Sequence, residues 1–180
     1  HLFSSAASDV YKRQINHSLR LSQAVPWWNR KMEDTFDLVV FGATGFTGRL
    51  VAEYLSQNQG ISHDLNWAIA GRDINKLDRI KNEMDIPSSI PALRTDINDM
   101  DSVRDLVKKT RVLLTTVGPY QIYGNEIIEC CVEEGVDYLD LCGEPAWMHK
   151  IVSNLQSRAE DTGARIAFSC GFDSIPFDLG

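Results

Sequence analysis

Gly42, Gly45 and Gly48 stand at three-residue intervals directly after an apolar run that contains Phe36, Leu38, Val39, Val40 and Phe41. Residues of these types at this spacing can hold a phosphate with main chain alone. A strand that passes through closely spaced glycines into a helix turns the first free N–H groups of that helix, and the positive end of its dipole, toward an anion. Gly42 permits the tight turn, Gly45 lets the backbone approach a pyrophosphate, and Gly48 lets helix pack on strand. The spacing is G-x-x-G-x-x-G and not G-x-G-x-x-G, so the flanking strand and helix carry much of the inference.

A dinucleotide held there would reach other strand ends. The end of the second strand reads the adenosine ribose, where an acid accepts from the 2′-hydroxyl and an arginine pairs with a 2′-phosphate. Here Arg72 takes that place, which favours NADP over NAD. Asp73 follows and suits either a helix cap or a ribose contact, and Asp96, past the third strand, either lies near the adenine or caps a turn. Val117-Gly-Pro-Tyr120 closes the fourth strand: Gly118 allows close approach to the cofactor and Pro119 fixes the exit of the chain. The other polar strand-end residues are Tyr120, Tyr123, Asn125, Asp140, Glu144, Asp173 and Ser174. Each suits substrate contact, acid–base work or helix capping, and none is assigned a catalytic role.

The elements that must position these groups follow from periodicity and punctuation. Strands are expected at 36–41, 67–70, 90–93, 111–117, 138–141 and 165–169. Helices are expected over 49–55, 74–84, from 98 or 99 to 109, 125–134 (ended by Gly135) and 146–162 (ended by Gly163). Strand and helix alternate, so the fold class is α/β: a Rossmann-type, doubly wound parallel sheet of about six strands in the order 3-2-1-4-5-6. Ligand is expected over the carboxyl ends of strands one and four, where the winding reverses.

Composition bounds the partners. The 180 residues carry 18 Lys and Arg against 25 Asp and Glu, a net charge of −7. That argues against a nucleic-acid binder or a general binder of anionic membranes, though not against a local anion site. No apolar run is long enough for a transmembrane segment. Cys130, Cys131, Cys142 and Cys170 form no C-x-x-C pair, and the four histidines supply no short-spaced ligands, so no metal is expected. Reduced, partly buried thiols read as those of a cytoplasmic protein. The first residue is not Met, and residues 1–14 read as linker-derived. Residues 1–31 are thus expected to be a disordered or non-native leader, residues 32–170 an NAD(P)-binding domain, and residues 171–180 the start of a truncated C-terminal substrate domain.

Six segments in order resemble the saccharopine dehydrogenase-like oxidoreductases, particularly the branch with trans-acting enoyl reductases. They are Val39-Val-Phe-Gly-Ala-Thr-Gly-Phe-Thr-Gly48, Ala70-Gly-Arg72, Val117-Gly-Pro-Tyr120, Tyr123-Gly124, Tyr138-Leu-Asp-Leu-Cys-Gly-Glu144 and Gly171-Phe-Asp-Ser-Ile-Pro176. The resemblance implies a Rossmann domain followed by a larger α/β domain that contributes to the substrate site and, in many members, to a homodimer. It places cofactor binding on Gly42, Thr44, Gly45, Phe46, Thr47, Arg72, Gly118 and Pro119; Gly48, Asp96 and Tyr120 join that set from their positions. It implies NADP (NADPH) and hydride transfer to or from an enoyl or carbonyl group of a small-molecule or lipid-like substrate, with peripheral association at membranes.

Two other functions compete. A short-chain dehydrogenase/reductase needs Tyr-x-x-x-Lys, but Asn58, Gly124, Ile127 and Cys142 stand four places after Tyr54, Tyr120, Tyr123 and Tyr138. A non-catalytic NADP-binding sensor would carry the same glycine turn; a second domain with polar groups facing the cofactor cleft separates the enzyme from it.

Overall fold

A computed structural model describes residues 35–58 and 65–179. The leader expected at 1–31 lies outside the described residues. The chain divides at Val117/Gly118 into two compact units.

The first unit holds β1 (Phe36–Phe41), α1 (Phe46–Gln57), β2 (Trp67–Gly71), α2 (Ile74–Glu83), β3 (Ala92–Arg94), α3 (Met100–Val107) and β4 (Thr110–Thr115). Its strands are all parallel, in the order β3-β2-β1-β4. Every residue of β2 is buried, as a strand covered on both faces requires. β1 lies between β2 and β4, with Phe41 opposite both Ala70 and Thr115. The winding direction therefore reverses between the carboxyl ends of β1 and β4.

The helices form for local reasons. Ala52 and Leu55 turn inward from α1, Leu77 and Ile80 from α2, and Val103, Leu106 and Val107 from α3. With Val40, Trp67, Ile69 and Ile86 the residues of α1 and α2 make one core. Leu77 is fully buried, so truncation to Ala would cost about 2–5 kcal/mol. Asp73 accepts from the N–H groups of Asn75 and Lys76 to start α2, and Asp99 accepts from those of Asp101 and Ser102 to start α3.

The second unit holds α4 (Tyr120–Glu134), β5 (Asp137–Leu139), α5 (Pro145–Thr162), β6 (Ile166–Ala167) and α6 (Ile175–Leu179). β5 and β6 are parallel, with Tyr138 opposite Ile166. Gly135 (φ 65°) and Gly163 (φ 77°) end α4 and α5 in the left-handed region, where glycine has no side-chain penalty. Six parallel strands alternating with helices make this the expected Rossmann-type α/β fold.

The element boundaries differ in two informative places. α4 starts at Tyr120, five residues before the expected Asn125. Gly124, inside this helix, makes room for another: a Cβ there would lie 2.6 Å from Cζ2 of Trp147. α1 likewise begins at Phe46, directly after Gly45.

Candidate functional site

The glycine turn leaves β1 through Gly42, whose φ of +91° is the left-handed region. A side chain at this position would also meet Thr116 Oγ1 at 2.7 Å and Val117 Cγ2 at 2.8 Å. Thr116 fastens the turn, its hydroxyl donating to the carbonyl oxygens of Phe41 (3.3 Å) and Gly42 (3.2 Å). Thr116 was not among the expected site residues; the only signal for it was a hydroxyl at the polar end of an apolar strand.

Gly48 is buried in the first turn of α1, and a Cβ there would fall 2.3 Å from the carbonyl oxygen of Gly42. It is therefore glycine because helix and turn touch. Gly45 is different. It is exposed, its φ of −80° is open to any residue, and a Cβ would meet only the Gly42 oxygen, at 3.3 Å. No backbone strain demands glycine there, and the one tight contact, with a main-chain oxygen, asks for a shift of a few tenths of an ångström where Gly48 would meet main chain at 2.3 Å. What Gly45 does is leave the amino end of α1 bare.

That helix end is bare in a second sense. No side chain caps it and no acidic residue stands in its first turn, whereas α2 and α3 are each capped by an aspartate. The N–H groups of the first turn have no partner inside a helix. Here they sit at the carboxyl end of β1, with Phe46 and Thr47 exposed on either side. A diphosphate fits these features: free main-chain donors and the positive end of a helix dipole.

Arg72 follows the end of β2 directly, is exposed, and has no ion pair or hydrogen bond among the described residues. Gly71 beside it touches the glycine turn: a Cβ on Gly71 would meet the Thr44 methyl at 3.5 Å. Asp73, for which cap and ribose contact were both open, caps α2. Asp96 holds its own turn, accepting from the backbone N–H (3.0 Å) and the side-chain amide (3.1 Å) of Asn98.

Gly118, Pro119 and Tyr120 open the second unit. Gly118 and Pro119 are exposed, with Pro119 at the N-cap of α4. Tyr120 is buried against Trp147, with ring centroids 6.0 Å apart, and its hydroxyl accepts from the Leu141 N–H at 3.2 Å. Burial pushes the Tyr120 hydroxyl up to about 12. Glu144 acts as a helix cap from 24 residues away: its two carboxylate oxygens accept from the N–H groups of Tyr120 (2.9 Å) and Gln121 (3.0 Å). The anion site of α4 is thus filled by the chain itself, in contrast to that of α1.

Asp140 is fully buried. Its carboxylate accepts from the N–H groups of Cys142 and Ser169 and from the Tyr138 hydroxyl, each at 2.9 Å. Burial pushes its pKa up from 3.8 to about 6, against the pull of these three donors. Desolvation likewise raises the Tyr138 hydroxyl well above its usual range. The group ties the ends of β5 and β6 together. Asn125 accepts from the Trp147 indole at 3.0 Å, and Tyr123 is half-buried. Asp173 is exposed, and the Ser174 N–H donates to Gly171.

Among the described residues no group of three His, Cys, Asp or Glu side chains is placed to hold a metal ion, and no helix is long and apolar enough to cross a membrane. The four cysteines are free, and Cys130, Cys131 and Cys142 are buried.

A parallel α/β unit with a bare helix end at its winding reversal defines a Rossmann-type nucleotide-binding domain. The family model for the saccharopine dehydrogenase NADP binding domain matches residues 38–166, and the chain belongs to that family. A human saccharopine dehydrogenase-like oxidoreductase is 39% identical over 155 residues, covering 81% of this chain and 36% of the relative. A trans-acting enoyl reductase of Mycobacterium ulcerans is 37% identical over 145 residues, covering 80% and 34%. Among solved structures, apo saccharopine dehydrogenase (L-Glu forming) of Saccharomyces cerevisiae shares the fold, with a TM-score of 0.60 at 13% identity, covering 77% of this chain and 28% of that one. The chain therefore spans about a third of the length of the relatives it matches.

Proposed function

We propose that this chain is the cofactor-binding part of an NADP-dependent oxidoreductase that passes hydride between the nicotinamide and an enoyl or carbonyl carbon of a lipid-like substrate. The observation that carries the reading is the uncapped head of α1: Gly45 is exposed, its backbone angle suits any residue, and no side chain or acidic residue covers the first-turn N–H groups. Close approach of a diphosphate to the N–H groups of Phe46, Thr47 and Gly48 accounts for it. Gly42 and Gly48 hold that main chain in place, and Thr44 lies on the side facing Gly71. Arg72 receives the 2′-phosphate, which sets the preference for NADP over NAD. Asp96, Gly118, Pro119 and Tyr120 remain in the proposed set by chain position.

When bound, NADPH supplies the hydride; the chain's own residues bind, orient and neutralise. The enoyl or carbonyl substrate is supported by the names of the relatives, which include a trans-acting enoyl reductase. Titration with NADPH and NADH, followed by by turnover assays of the complete protein with enoyl thioesters and ketones, tests the proposal. Substitution Arg72→Ala is expected to weaken NADPH binding by about 1.5–3 kcal/mol, the range for a charge-assisted bond, and to leave NADH nearly unchanged. Equal losses for both cofactors would refute the role of Arg72, and no binding of either would refute the reading as a whole.

A further inference from the structure

The carboxyl edge of the first unit carries a second exposed arginine. Arg94 ends β3, and its Cα is the register partner of Gly71, the residue directly before Arg72. Neighbouring strands are about 4.8 Å apart and successive Cα atoms about 3.8 Å, so the Cα atoms of Arg72 and Arg94 lie within about 9 Å of each other. Two extended arginine side chains cover that separation easily.

The face is right as well. Residues that pair across a sheet point to the same side, and alternate residues of a strand share a face. Ala92, two residues before Arg94, packs on the core built from α1 and α2. A Cβ on Gly71 would face Leu77 of α2 and the methyl of Thr44 in the glycine turn. Arg94 therefore projects on the face that carries the phosphate cradle, while Arg72 lies one residue past the end of β2, where the alternation of the strand no longer fixes its side. The intervening position on β2 is glycine, so no β2 side chain stands between Arg94 and the turn.

The acids that follow these arginines in sequence are engaged with main chain or amide rather than with a guanidinium: Asp73 caps α2, and Asp96 closes its own turn. Elsewhere in the same unit, Arg49 pairs with Glu83 at 3.0 Å and Arg111 with Asp37 at 3.4 Å. Arg72 and Arg94 are both exposed and have no hydrogen bond or ion pair among the described residues. Two neighbouring guanidinium groups that no carboxylate holds leave their donors open to a dianion.

We infer that Arg94 is a second specificity determinant, which clamps the ribose 2′-phosphate of NADP from the β3 side while Arg72 holds it from the β2 side. This inference rests on the NADP reading proposed above. Guanidinium groups suit the role because each offers paired donors to phosphate oxygens.

The test is calorimetric titration of the full chain and its variants with 2′,5′-ADP and 5′-AMP, which differ by the phosphate in question. The unsubstituted protein is expected to prefer 2′,5′-ADP. Arg94→Ala is expected to weaken 2′,5′-ADP about tenfold or more, the effect of losing one charge-assisted contact, with 5′-AMP unchanged. Arg94→Lys is expected to recover part of the loss, and Arg72→Ala/Arg94→Ala to remove the preference. Melting temperatures without ligand should be equal, because both side chains are exposed. If Arg72→Ala removes the preference and Arg94→Ala does not, the role of Arg94 is overturned and the NADP reading stands. If Arg94→Ala weakens both ligands equally, Arg94 is not a 2′-phosphate contact. If the unsubstituted protein shows no preference, the NADP reading itself falls and this inference with it.

Discussion

Replacing Gly45 separates a ligand-driven glycine from a fold-driven one. In Gly45→Val the new Cβ lies 3.3 Å from the Gly42 carbonyl oxygen, a contact relieved by a shift of a few tenths of an ångström, and φ of −80° suits valine. An apolar residue at an N-cap costs about 0.5–1 kcal/mol, and loss of glycine flexibility in the unfolded chain returns a similar amount. The net change in stability should stay within about 1 kcal/mol, or about 2–4 °C in melting temperature for a chain of this size. Binding should respond very differently. The side chain would stand over the first-turn N–H groups and displace a diphosphate from at least one charge-assisted bond worth about 1.5–3 kcal/mol, which is about a 10- to 150-fold rise in Kd. Gly48→Ala supplies the contrast, because its Cβ would lie 2.3 Å from the Gly42 oxygen and 2.8 Å from the Ala43 Cα, both main chain. That variant should be destabilised by about 1–3 kcal/mol or more. The assay is NADPH fluorescence enhancement alongside thermal unfolding. Unchanged NADPH affinity in Gly45→Val, or a stability loss equal to that of Gly48→Ala, would refute the reasoning.

Other predictions concern the second unit. Asp140 binds its proton more tightly when folded, with a pKa of about 6 against 3.8. Between those values the folded state therefore holds more protons than the unfolded one, and stability falls as pH rises through the window. The loss is about 3 kcal/mol at about 1.4 kcal/mol per pKa unit. Asp140→Asn should remove that slope, so the difference in unfolding free energy between the two proteins should change from pH 4 to pH 6.5; a constant difference in denaturant titrations would contradict the assignment. Glu144→Ala leaves the N–H groups of Tyr120 and Gln121 without their carboxylate and should lower stability by about 1–2 kcal/mol. Urea midpoints would measure it, and an unchanged midpoint would show that the cap contributes nothing. Gly124→Ala would drive a methyl group into the Trp147 ring and should cost about 1–3 kcal/mol, by the same assay.

Residue order alone determined the alternation of strands and helices, the glycine turn and the positions of Arg72 and Gly118, because these depend on apolar periodicity, backbone freedom and short spacing. Asp73 and Asp99 were each among the alternatives read locally as helix starts, because a cap reaches only two or three residues along the chain; the structure chose between them. Tertiary structure decided what depends on distant partners. α4 starts early because Glu144, remote in sequence, satisfies its first N–H groups, and because Trp147 packs where Gly124 has no side chain. Asp140 became a buried tie between strand ends, which no local pattern announces. Arg94 gained its candidate role only from the β2–β3 register, which sets it beside Gly71. Hydrogen bonds of short reach are written in neighbouring letters; burial, register and the competition for a charge are settled only when separate segments meet.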